Sequence, residues 1–262
     1  MTRVMFIADL HCGHMSGLTP PEWDSKPGAG WPAKKISFYD HRREIWDIYE
    51  ETIFRVKPDV VIVPGDAIDG KGQKSGGTEQ LTADRNEQCW MAVAALKRVN
   101  AKRYVMSYGT SYHVGFQEDW EDQVAKGLSE ASIGGEDNAM VHGKVINYRH
   151  YLGGSSVPHG RATPLNKEVV WNKLWSLRGE YPAADVIARA HNHYYVAVDT
   201  ADTLAFSLPA ACGYGSKFGT RICSGTVDFG FVWMDIEKGR DIAWDKRIHR
   251  FVSPHEYALI VE

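Results

Sequence analysis

Cysteine is scarce and scattered: Cys12, Cys89, Cys212 and Cys223 stand far apart, with no C-x-x-C pair among them. That spacing excludes a zinc knuckle and a small disulfide framework, and the thiols read as reduced. No apolar stretch approaches the roughly 18 residues that a membrane-spanning helix needs. The first apolar run, residues 4–8, is too short for a signal-peptide core and ends at the charged Asp9, so the expectation is a cytoplasmic chain with no membrane partner. An excess of one charge is missing as well. Thirty Lys and Arg face 33 Asp and Glu, for a net charge of -3 with no long single-sign run, which argues against a broad nucleic-acid-binding face. Nucleic acid stays open as a substrate, although the charge does not indicate it. There is no internal repeat and no low-complexity tract. What remains is 262 residues, 44% hydrophobic and 24% charged, the composition of an ordinary globular chain with no visible boundary between two units.

The apolar runs 4–8, 59–63 and 103–107 read as buried strands, each followed by a turn that carries polar residues. Between them, residues 40–56 and 84–99 have the spacing of amphipathic helices. The second half is richer in strands, at 144–149, 185–189, 194–198, 204–208, 229–236 and 242–248, with a helix at 164–177. This order predicts an α/β fold of two packed mixed β-sheets flanked by helices, a single domain over 1–262. A Pro-, Gly- and Trp-rich segment at about 15–35 reads as a loop insertion, and loops of that length are usually functional or disordered. Its aromatics and those just after it, Trp23, Trp31, Phe38 and Tyr39, suit either core packing of the loop or a lid.

Five predicted strand ends carry side chains of the metal-ligand type: Asp9 and His11, then Asp66 and Asp69, then His113, His150, and the pair His191 and His193. In open α/β sheets the crevice beyond the carboxyl ends of strands collects residues that are distant in sequence. Carboxylates mixed with imidazoles suit borderline cations such as Mn, Fe, Zn or Ni rather than an all-oxygen ion. Two such ions about 3.5 to 4 Å apart can polarise a phosphoryl oxygen and generate a metal-bound hydroxide at neutral pH, so a phosphate ester is the expected substrate.

In chain order these residues stand as Asp9-Leu10-His11, Gly65-Asp66-Ala67-Ile68-Asp69, Gly109-Thr110-Ser111-Tyr112-His113, His150 and Ala190-His191-Asn192-His193. Over about residues 4 to 195 the chain resembles the calcineurin-like metallophosphoesterases, whose blocks run D-x-H, G-D-x-x-D, G-N-H, a lone H and G-H-x-H. The resemblance implies a four-layer α/β/β/α sandwich and two divalent or trivalent transition metals. One metal would be held by Asp9, His11, Asp66 and His193, the other by Asp66, His150 and His191, with Asp66 bridging. It also implies catalytic roles for His113, at the leaving group, and for Asp69, as the partner that fixes its imidazole. The implied activity is hydrolysis of a phosphomonoester or phosphodiester by attack of a metal-bound hydroxide. A nuclease of the same fold and a binding scaffold with a degenerate metal centre are the alternatives.

The chain departs from the pattern at two places. The Asn that usually ligates the second metal is either replaced by Thr110 or lost to a two-residue insertion, and the Gly before the last H-x-H is Ala190. The fourth block has two candidates: His150 ends a strand-like run, whereas His159 lies in a Gly- and Ser-rich loop and suits contact with substrate phosphate, with Arg161 beside it. Thr110 belongs to the same group of candidate substrate contacts. Residues 213–219, with Lys217 and Arg221, read either as further phosphate contacts or as a glycine turn between strands. His14, His41, His142, His249 and His255 fit no block and read as surface or structural residues.

Overall fold

The computed structural model describes all residues except 27, 29–32, 116–117, 156, 214–226 and 252–262, and the side chains of 33–37 and 74. Among the described residues, eleven strands form two sheets. The first contains β1 (Thr2–Phe6), β2 (Val60–Pro64), β3 (Arg103–Ser107), β4 (Ala131–Gly134), β10 (Phe229–Ile236) and β11 (Ala243–His249), in the order β11-β10-β1-β2-β3-β4. The second contains β5 (Glu136–Val141), β6 (Lys144–Arg149), β7 (Val186–Arg189), β8 (Val196–Asp199) and β9 (Leu204–Ser207), in the order β5-β6-β7-β9-β8. Strands β1 to β4 run parallel, as do β6, β7 and β9, while β10, β11, β5 and β8 pair antiparallel at the flanks.

Successive side chains of a strand face opposite ways, and here both faces are buried. Met5, Val61, Val63, Tyr104 and Met106 pack beneath the helices α1 (Ala33–Val56) and α2 (Arg85–Arg98), against Ile45, Tyr49, Met91 and Leu96. Their neighbours Val4, Phe6, Ile62 and Val105 turn to the other side and meet Ile146, Tyr148, Val186, Ala188 and Phe206 of the second sheet. The far face of that sheet, through Val145, Ile187 and Ala205, is covered by α5 (Thr163–Leu177) at Leu165. The layers are therefore helix, sheet, sheet, helix. Among the described residues, no helix is long and apolar enough to cross a membrane.

Two expectations need correction. The segment expected to be a loop at 15–35 is shorter, because α1 starts at Ala33 rather than at residue 40, which also puts Phe38 and Tyr39 on the helix. Its first part is pinned rather than loose. The buried Asp24 carboxylate accepts from Arg42 at 2.8 and 3.1 Å and from Arg43 at 2.8 Å, while the same arginines donate to the carbonyls of Met15 and Thr19. Trp23 packs against the α1/α2 core, and Trp31 lies outside the described residues. Strands β4 and β5 and the short helices α3 (Ser111–Val114) and α4 (Glu121–Gly127) were not expected. Both strands are half-exposed edges with no continuous apolar run, and the chain passes from one sheet to the other through Gly135, between them.

Candidate metal centre

The parallel pairing of β1 and β2 continues past the strand ends. Asp9 N donates to Gly65 O at 3.2 Å, His11 N to Asp66 O at 3.0 Å and Asp69 N to Cys12 O at 3.1 Å, so the two loops run side by side. Within them the backbone turns abruptly. Asp9, His11, Asp66, His191 and His193 all have left-handed conformations, with φ of 53, 45, 51, 75 and 53°. Such conformations cost of order 1–3 kcal/mol each for residues other than glycine, and they persist where surrounding structure over-determines them. Here they turn five polar side chains into one crevice. Gly109 permits the closest approach: a Cβ there would collide with the Asp66 carboxylate and amide. The absence of a side chain lets the next amide, Thr110 N, donate to Asp66 Oδ1 at 2.7 Å. The second sheet is fastened to the first by His150, whose Nδ1 donates to Pro64 O at 2.8 Å.

Asp66 Oδ2 is the hub. It lies 3.1 Å from His150 Nε2, 3.9 Å from His113 Nε2 and 4.0 Å from His11 Nε2. His150 Nε2 is 3.1 Å from His191 Nδ1, and the Thr110 hydroxyl sits among these donors, 3.2 Å from Asp66 Oδ2, 3.1 Å from His150 Nε2 and 3.3 Å from His191 Nδ1. On the other side, His193 Nε2 lies 3.2 Å from Asp9 Oδ1 and 3.3 Å from His11 Nε2. Among the described residues, four donor triads have their ligand atoms within 4.8 Å of one another, and two of them, Asp9-His11-Asp66 and Asp66-His150-His191, share Asp66. The donor set fits transition-metal cations, and Asp9 Oδ1 supplies a further sign of it: this buried carboxylate oxygen is left with only the His193 imidazole nearby, at 3.2 Å and off hydrogen-bond geometry.

Electrostatics points the same way. Burial alone would push the carboxylates up, yet His193 and His150 hold Asp9 below the usual range, and His150, His113 and His11 do the same for Asp66. Conversely, burial disfavours the charged His150, but Asp66 and Asp9 outweigh it and lift the ring to about 9. His191 is pushed down to about 4 by burial and by charged His150. Protons on selected imidazoles thus supply the positive charge that the carboxylates demand, which is the role cations would take.

Asp69 stands behind this cluster. Its carboxylate is 2.9 Å from His11 Nδ1 and 3.3 Å from His113 Nδ1, whereas its backbone carbonyl accepts from His113 Nδ1 at 2.8 Å. The carboxylate expected to fix His113 therefore holds His11 more closely, and the carbonyl takes over much of the fixing of His113. Of the two histidines weighed for the fourth block, His150 is in the cluster, while His159 is exposed on the 3-10 turn Pro158–Gly160. Arg161 is half-buried, its guanidinium 4.9 Å over the Tyr194 ring. Lys217 and Arg221 lie outside the described residues, as does His255. Ala190 is fully buried and its methyl joins the core between the sheets. His14 is buried against Ser16, and His142 and His249 contact Thr2 and Glu44 away from the crevice.

Three contributors have no signal in the sequence. Glu121, fully buried on α4, accepts from Ala67 N and Gly109 N, both at 2.7 Å, and so ties the loops after β2 and β3 together. Gln80 donates to Asp69, and Cys212 Sγ lies 3.6 Å from His193 Nδ1. The partners of Glu121 are backbone amides, which no motif records.

No protein-family model matches the chain, and no curated protein matches it significantly. Among solved structures, an archaeal phosphodiesterase is 13% identical, with 94% of this chain and 99% of that one covered and a TM-score of 0.50. A zinc complex of wild-type Vps29 from Entamoeba histolytica is 11% identical, with 94% and 98% covered and a TM-score of 0.44. A predicted phosphoesterase from Streptococcus pneumoniae is 12% identical, with 97% and 94% covered and a TM-score of 0.42. With its two mixed sheets flanked by helices, the chain has the calcineurin-like metallophosphoesterase fold.

Proposed function

We propose that this chain is a metal-dependent phosphoesterase that holds two transition-metal cations, one among Asp9, His11, Asp66 and His193 and the other among Asp66, His150 and His191, with the Thr110 hydroxyl beside the second. The observation that carries this reading is the sharing of Asp66 between two donor triads that are buried except for the half-buried His191. When bound, the cations would polarise a phosphoryl oxygen and acidify a water. The chain's own residues do the rest. Thr110 N holds Asp66 Oδ1 and orients the shared carboxylate. His113, with Nδ1 fixed on the Asp69 carbonyl, presents Nε2 to the departing oxygen as a proton donor. His150 and His11 are locked through their own Nδ1 atoms by Pro64 and Asp69.

The likeness to a phosphodiesterase makes a phosphodiester the first substrate to test, with a monoester as the comparison. Metal analysis of the purified protein should find two transition-metal ions per chain, together with turnover of a nitrophenyl diester or monoester. Asp66→Asn replaces the shared charge with a neutral amide, and should weaken metal binding more than about 100-fold, beyond what loss of an outer partner of a ligand costs. A wild-type protein that retains no transition metal and turns over neither ester would refute the reading.

A further inference from the structure

Four imidazoles, those of His11, His113, His150 and His193, present Nε2 to the carboxylates Asp9 and Asp66. Each can do so only if its far nitrogen is held. His11 Nδ1 is held by the Asp69 carboxylate at 2.9 Å, His113 Nδ1 by the Asp69 carbonyl at 2.8 Å and His150 Nδ1 by the Pro64 carbonyl at 2.8 Å. At His193 the partner is sulfur, Cys212 Sγ, at 3.6 Å.

We propose that Cys212 is a positioning residue for the metal centre, orienting His193 so that its Nε2 faces the cation shared with Asp9 and His11. This inference rests on the metal-binding reading above. With Nε2 on a cation, the single proton of the neutral ring sits on Nδ1, and the thiol sulfur is its acceptor. Both partners sit on a well-tied backbone. Ala211 N donates to Ala8 O at 2.7 Å and Gly213 N to Ser16 O at 2.7 Å, which sets the buried Cys212 against the loop after β1. Asp228 N donates to His193 O at 2.9 Å, so the histidine is held at its carbonyl as well as at its ring. Sulfur is a weak acceptor, which makes this the softest of the four holds and the one that a better acceptor can replace. The thiol is close enough to the nitrogens of His11 and His193 to form a triad with them, within 4.8 Å, so direct ligation by sulfur is the rival geometry that the test has to separate.

Metal-free wild type, Cys212→Ala and Cys212→Ser are titrated with Co(II), followed by calorimetry and visible absorption. The wild type should bind two Co(II) without a sulfur-to-cobalt charge-transfer band. Cys212→Ala should bind one of the two about 10- to 100-fold more weakly, the usual loss when the outer partner of a ligating histidine is removed. Cys212→Ser, whose hydroxyl can accept from Nδ1, should recover most of that affinity, which a general packing defect would not predict. Equal affinities in wild type and Cys212→Ala overturn the role of Cys212 while leaving the metal centre standing. A charge-transfer band in the wild type that Cys212→Ala lacks overturns it in favour of direct ligation. A wild type that binds no Co(II) removes the metal reading itself, and this inference with it.

Discussion

At the scale of single residues, the geometry of His113 separates two roles that its sequence position leaves joined. Its Nδ1 is committed to the Asp69 carbonyl, so only Nε2 faces the crevice, 3.9 Å from Asp66 Oδ2. Burial opposes protonation of the ring, but the Asp69 hydrogen bond and the Asp66 charge overcome it and raise its affinity for a proton. A proton donor matters most when the leaving oxygen is a poor one, and positioned donors contribute about 10²- to 10⁴-fold. His113→Ala should therefore keep both metals yet lose far more rate on an alkyl ester than on a nitrophenyl ester, measured with metal content in parallel. Equal losses would make Nε2 a stabiliser of phosphoryl charge instead, and loss of metal would make it a ligand. The residue types of the site were legible in the sequence because D-x-H, G-D-x-x-D and H-x-H are compact blocks. His150 was favoured over His159 by its place at a strand end, and the structure separates them by contacts that no sequence block records, from His150 to Pro64, Asp66 and His191. The position of Thr110 was equally hidden: two extra residues before His113 need not displace it, because α3 takes up Ser111–Val114.

At the scale of elements, α4 acts on the site without touching a candidate ligand side chain. Glu121 receives one amide from each of two loops, so its two oxygens work as a clamp between the ends of β2 and β3. Burial and the neighbouring Asp66 charge raise this carboxyl to about 7, against the pull of the two amides. In Glu121→Gln one oxygen remains an acceptor while the new NH₂ confronts the other amide. Leaving a buried donor unsatisfied costs about 1–3 kcal/mol. Chemical denaturation should show a loss of that size, with weaker binding of the proposed metals because Ala67, next to Asp66, and Gly109 are no longer drawn together. An unchanged midpoint would mean that water or a shifted loop takes over one of the amides. The strands around the site were legible because runs such as 103–107 and 229–236 are apolar on both faces, and they fall where expected. Helix α4 was not, because only Glu121, Val124 and Ala125 of its seven residues are buried, too few for a helical pattern, and Glu121 bonds to main chain.

At the scale of the whole molecule, the protonated imidazoles make the metal-free fold sensitive to pH. A proton bound more tightly by the folded site than by the unfolded chain stabilises the fold only while it stays bound. The contribution of His150 is therefore complete below pH 6.5 and is lost as pH rises through about 9. His113 and His193 shift in the same direction, while His11 and His191 shift the opposite way and are already neutral over this interval. The melting temperature in chelator should fall between pH 6.5 and 9, and the gain on adding Mn(II) should grow over the same range as the cation replaces the protons. Parallel melting curves with and without metal would contradict this. The sheet order was the least legible feature of all, because nothing local tells β1 to sit between β2 and β10, pairing Thr2 with Ile236. That order has a consequence for synthesis on the ribosome. While residues 229–236 are still in the exit tunnel, β1 can pair with β2 but keeps its other edge open, an invitation to mispairing that lasts through most of translation. The ligand side chains of the proposed metal centre all lie between residues 9 and 193, so a nascent chain that binds a cation as proposed could begin to do so while still exposing a strand for a chaperone to cover.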